Sequence, residues 1–153
     1  MAKPSDTTVP AAFAPHLHAG EELRHYAYGV KQPHMVAIIL LVTLGGVLPG
    51  IIAVALFTRH YFIGMTDRRL VVLRIKSMGN HQVKEVVEYD LGGLDAGAVR
   101  TAAGPIFTHI RIQDPAKRFA AKFHRRAMKT NREHSRAIAN ALAGGEPALA
   151  VAA

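Results

Sequence analysis

The chain of 153 residues has no cysteine, only 11 acidic residues against 19 lysines and arginines, and no charged residue across positions 32–58. The missing cysteines exclude disulfides, iron–sulfur clusters, cysteine-ligated zinc and a thiol nucleophile, and leave the redox compartment unmarked. Serine is scarce as well: Ser5, Ser77 and Ser135 are the full set, and none sits in a nucleophile-elbow pattern. The nine histidines are scattered through the leader, the edges of the uncharged run, the turns and the strands, with no helical pair and third ligand of the kind zinc needs. "GGLDAG" at 92–97 lacks the lysine and following helix of a phosphate loop and reads as a turn. Neither a metal, a cofactor nor a catalytic residue is expected from these patterns, and the chain reads as non-enzymatic.

What the chain does have is one concentrated apolar stretch. Half the residues are apolar and the mean hydropathy is +0.13 despite a pI near 10.2, because "MVAIILLVTLGGVLPGIIAVALF" at 35–57 holds so many of them. At about 1.5 Å per helical residue the uncharged run is long enough for a hydrocarbon core of about 30 Å, and no face of it is polar, so membrane insertion is expected. Tyr26, Tyr28 and Lys31 before it, and Arg59, His60 and Tyr61 after it, are residues suited to an interface. Gly45, Gly46, Pro49 and Gly50 allow two geometries: a kinked single span, or a hairpin of helices over about 33–47 and 49–62, each about 21 Å long. Lysine and arginine exceed acidic residues only after the run, which by the positive-inside tendency places the C-terminal part in the cytoplasm, at an inner (plasma) membrane.

The length suits one domain. Residues 1–19, rich in Ala, Pro and Thr without periodicity, read as a flexible tail rather than a cleaved signal, and 144–153 as a second tail. Between them the pattern is mainly β. "YFIGMT" and "RLVVLRIK" flank a "DR" turn in which Asp67 is expected to accept backbone amides. In 106–113, Ile106, Ile110 and Ile112 share one face and His109, Arg111 and Gln113 the other. In 117–126, Phe119, Ala121 and Phe123 alternate with cations. "TNRE" at 130–133 has the form of a capping box, followed by a helix with Ala137, Ile138, Ala141 and Leu142 on one stripe.

In serial order, "AGEELRHYAYGV", "YFIGMTDRRLVVLRI", "VKEVVEYDLGGL", "IFTHIRIQ", "RFAAKFHR" and "NREHSRAIANAL" resemble the bacterial pleckstrin-homology-like domains over about residues 20–143, with "TDRRL" at 66–70 the most specific piece. The resemblance implies a strongly bent antiparallel sheet of seven strands plugged by the C-terminal helix, no shared catalytic residues, and, in some relatives, membrane helices beside the domain. It also bears on the insertion at 33–62. If "ELRHYAYGV" is the first strand of the same sheet, both ends of the insertion lie on one side of the bilayer, which favours the hairpin. A single span would leave six strands, or an edge borrowed from a partner.

The cations Arg118, Lys122, Arg125, Arg126, Lys129, Arg132 and Arg136 form the one constellation with a partner in view. Read blandly, they are a solvated face. Read functionally, they contact anionic headgroups, each contributing about 1 kcal/mol near the surface, or an acidic patch on a protein. Nucleic acid is disfavoured, since no stacking aromatics are interleaved. The expected function is thus a membrane-anchored β module that binds headgroups or a protein partner. The alternative is an accessory subunit of a larger integral complex, packed through Gly45, Gly46 and Gly50.

Overall fold

The computed structural model describes residues 3–144; the tail expected at 144–153 lies outside them, apart from Gly144. Seven antiparallel strands form one sheet: β1 (His25–Lys31), β2 (Arg59–Met65), β3 (Arg69–Ser77), β4 (Asn80–Asp90), β5 (Val99–Ala103), β6 (Phe107–Gln113) and β7 (Arg118–His124). Their spatial order is β4-β3-β2-β1-β7-β6-β5, so β1 joins two meanders. The join is narrow: Val30 opposite Lys122 is the register pair recorded between β1 and β7. The sheet curls until its β6–β7 turn meets β4, where Tyr89 Oη donates to the Lys117 carbonyl at 2.8 Å and Lys117 Nζ to that of Glu88 at 3.0 Å.

Two helices cover the two faces. The C-terminal helix (Asn131–Leu142) buries Ile138 and Leu142 against Ile63, Leu70, Val72, Ile110, Ile112, Phe119 and Phe123. On the opposite face a short helix, α1 (Thr8–Phe13), lays Val9 and Phe13 on Phe62, Val71 and Leu73, beside Tyr28 and Met128. The middle strands therefore bury both faces, which is why β2 and β3 read as unbroken apolar runs while β6 and β7 alternate.

Helix α1 corrects the reading of residues 1–19 as a tail. Six residues are too few to show a helical period, but Val9 and Phe13, four apart, share a face and are fully buried. Ser5 Oγ accepts the Thr8 amide at 3.1 Å. Gly64 makes the room, since a Cβ there would lie 2.7 Å from the Phe13 ring and 2.7 Å from Leu23. Three local expectations also shift. Thr66 Oγ1, not Asp67, accepts the Arg68 and Arg69 amides in the β2–β3 turn. Thr130 makes no capping bond to its helix and donates instead to Asp6, which α1 brings near. Ile106 precedes β6 and is exposed rather than part of the core.

A buried ion pair fixes the start of β1. Arg69 Nε and Nη2 grip Glu21 at 2.8 and 2.6 Å, Thr66 Oγ1 donates to the same carboxylate at 2.7 Å, and Arg69 Nη2 also reaches the His16 carbonyl at 2.7 Å. The Arg69 bond holds the Glu21 carboxyl well below the usual carboxylate range, against the opposing effect of burial.

Candidate functional site

The uncharged run leaves the sheet between β1 and β2 as two helices, α2 (Met35–Gly45) and α3 (Val47–Phe57), so the C-terminal helix becomes α4. Lys31 and Arg59 are register partners, which puts both ends of the insertion at the same place on the sheet. The turn is Gly46, whose φ of 83° and ψ of 167° lie in a region essentially reserved for glycine. Gly45 closes α2. Pro49 occupies the first turn of α3, where its missing N–H costs nothing. Gly50 is buried against α2: a Cβ there would lie 2.9 Å from Val42 Cα. The kinked single span is thereby replaced by a helical hairpin, and among the described residues no helix is long and apolar enough to cross a membrane.

The hairpin has no polar side to turn toward water. Met35, Leu44, Leu48 and Leu56 are each at least 70% exposed, and the two helices pack chiefly on each other rather than on the sheet. Its one hydroxyl, on Thr43, donates to the Ile39 carbonyl at 2.9 Å, so it needs no water. At the foot, Thr58 Oγ1 donates to the Val54 carbonyl at 2.7 Å and ends α3 in the same self-sufficient way. An apolar groove of about 650 Å³ runs along the hairpin between Leu40, Leu41, Leu44 and Phe57, with Lys31 and Arg59 at its mouth.

The seven cations named from the sequence do not form one surface. Arg118 and Lys122 project from β7 on the outer face, and Arg126, Lys129 and Arg132 are exposed on the following turn and α4. Arg125 and Arg136 serve the β5–β6 turn: Arg125 Nη1 donates to the Pro105 carbonyl at 3.4 Å and Arg136 Nη2 to that of Gly104 at 3.1 Å.

A tighter cluster lies where the strands meet the hairpin. Register places His109 opposite Lys122, and Arg100 opposite Arg111, so all four stand on the outer face of β5–β7. They line a groove of about 580 Å³ whose other wall is the foot of the hairpin, from Val30 to Met35. No carboxylate is among its lining residues. Burial, with repulsion from Lys122 and Arg111, pushes the His109 imidazole below its usual range, as expected in a positive local field. Sequence reading missed Arg100 and Arg111 as members of a site, although the alternation of β6 had placed His109 and Arg111 on the wet face. The cluster can hold an anion by charge-assisted hydrogen bonds from two guanidinium groups and an ammonium. Among the described residues no group of three His, Asp or Glu side chains is arranged to hold a metal ion.

No protein-family model, no curated protein and no solved structure matches the chain.

Proposed function

We propose that the protein is a monotopic membrane module: a non-enzymatic, pleckstrin-homology-like β domain held at the cytoplasmic face of the plasma membrane by its helical hairpin, presenting cations to anionic headgroups. The observation that carries this reading is the hairpin itself, apolar on every side, exposed, and joined to the sheet by one pair of adjacent strand ends. Eleven-residue helices rise about 16 Å, roughly half of the hydrocarbon core, which suits insertion into one leaflet. The order of strands and the closing helix are compatible with a pleckstrin-homology-like barrel.

The alternative role as an accessory subunit of an integral complex rested on glycines free to admit another helix. Gly50 is taken up by Val42 inside the hairpin, which removes one of the three from that role, while Gly45 and Gly46 meet only Pro49, at ordinary contact distance. The anchor reading is tested by flotation of the full chain with neutral phosphatidylcholine vesicles in detergent-free buffer. It is expected to rise with the vesicles. Protein that remains a dispersed monomer in the aqueous fraction would overturn the reading.

A further inference from the structure

We infer that the groove between the hairpin foot and the outer face of β5–β7 seats the phosphate of one anionic phospholipid, with Arg100, Arg111 and Lys122 as its cationic wall. The inference rests on the hairpin lying in a bilayer, and it narrows the site from a basic surface to a single place. Three observations converge there. First, Arg100 stands directly across from Arg111, with Lys122 on the same face two strands from Arg100, an arrangement of like charges that costs stability unless an anion lies over it. Among the described residues none of these cations is within ion-pair distance of a carboxylate. Secondly, the groove has a second wall, the segment from Val30 to Met35, so an anion there is flanked on two sides rather than laid on an open sheet.

Thirdly, the same segment joins the polar groove to the apolar one. Lys31, Gln32 and Pro33 line both. A phosphodiester over Arg100, Arg111 and Lys122 therefore lies beside the apolar groove, one segment away, and its acyl chains would round Pro33 to run along Leu40, Leu44 and Phe57. A soluble phosphate would use only the first half of this site. That adjacency is why the occupant is a lipid, and why its headgroup lies at the level where the hairpin enters the membrane.

The test compares the full chain with two triple variants of equal charge change: R100Q/R111Q/K122Q in the groove, and R118Q/R126Q/R132Q on exposed positions outside it. Binding is measured on phosphatidylcholine vesicles with and without phosphatidylglycerol. The wild type is expected to bind the anionic vesicles more tightly. The groove variant is expected to lose roughly a hundredfold of that gain, the sum of three cations acting on one anion, while the outer variant keeps most of it. Equal losses in the two variants would mean a diffuse field and overturn the seat, as would a groove variant that binds like wild type. Free glycerol phosphate is expected not to displace the lipid; displacement at matched concentration would assign the site to a soluble anion and overturn the lipid. Binding to neutral vesicles reads the hairpin alone, so failure of the anchor and failure of the seat are separate results. The substituted side chains are exposed, and unchanged thermal unfolding of both variants is the accompanying control.

Discussion

The carboxamide of Asn131 accepts the Tyr28 N–H at 2.7 Å and donates to the Tyr28 carbonyl at 3.0 Å, two bonds to one residue 103 positions earlier. The same amide nitrogen donates to the His124 carbonyl at 2.8 Å. Asn131 thus stands in for a strand residue where β1 separates from β7, just past their Val30–Lys122 pair. One fully buried side chain pins the two meanders together at the first residue of α4.

Replacing it should be costly. Asn131→Ala leaves the Tyr28 N–H and carbonyl without this partner, at about 1–3 kcal/mol for each unsatisfied group, while the His124 carbonyl keeps the Ala127 N–H at 3.0 Å. We expect the variant to lose about 3 kcal/mol or more, and its midpoint to fall in chemical denaturation. Asn131→Asp keeps the acceptor but not the donor, and should be destabilised too. A variant as stable as wild type would show that β1 and β7 hold together without this bridge.

The Glu21–Arg69 pair predicts an acid dependence. The folded-state pKa of Glu21 is depressed, so its contribution is whole above the ordinary glutamate value of 4.5 and is withdrawn as pH falls below it. Glu21→Gln leaves the nearly enclosed Arg69 with Glu88, at 2.6 Å, as its remaining carboxylate, and should cost about 1.5–3 kcal/mol at neutral pH. The same change should flatten the decline of stability below pH 4.5. Parallel wild-type and variant acid limbs in a denaturation series would exclude Glu21 as the group responsible.

The parts of the fold that rest on local pattern were legible in the chain. Helix α4 lies where its apolar stripe and flanking glycines put it, and Phe119, Ala121 and Phe123 face inward as their alternation requires. What escaped depends on partners distant in sequence. Thr130 and Glu133 carry a capping pattern, yet the hydroxyl goes to Asp6 because α1 folds back over the sheet. Arg125 and Arg136 resemble their solvated neighbours until the Gly104 and Pro105 carbonyls are placed beside them. Arg100 is one cation on a short strand, and only the register of β5 on β6 sets it opposite Arg111. The hairpin was one of two geometries consistent with its glycines; the pairing of Lys31 with Arg59 selects it.

The close approach of α2 and α3 depends on Gly50. A larger side chain there meets both Val42 Cγ2, at 2.8 Å, and the Val42 backbone, at 2.9 Å, so the helices must separate. Gly50→Val should cost about 1–3 kcal/mol of hairpin stability. The effect should be local: amide exchange is expected to speed up in α2 and α3 and to stay unchanged in β2 and β3. Unaltered exchange in both helices would mean that the pair does not rely on this contact.

The anchor reading makes a topological prediction that the absence of native cysteine renders clean. Thr7→Cys and Ala143→Cys lie on the β domain, whereas Leu48→Cys lies at the tip of the hairpin beside the Gly46 turn. In intact cells a membrane-impermeant maleimide should label none of the three. In inside-out vesicles it should label positions 7 and 143 but still spare 48, since a hairpin about 16 Å tall ends inside the hydrocarbon rather than beyond it. Labelling of position 48 from the outer side would mean that the tip emerges, and labelling of positions 7 and 143 from opposite sides would contradict a single sheet on one face of the membrane. Leu48→Asp adds an energetic counterpart: a carboxylate at the tip must be carried into hydrocarbon, at a cost of about 2.5–3.5 kcal/mol on insertion scales. Its partition onto neutral vesicles should accordingly drop by on the order of a hundredfold, with the β domain folded as before.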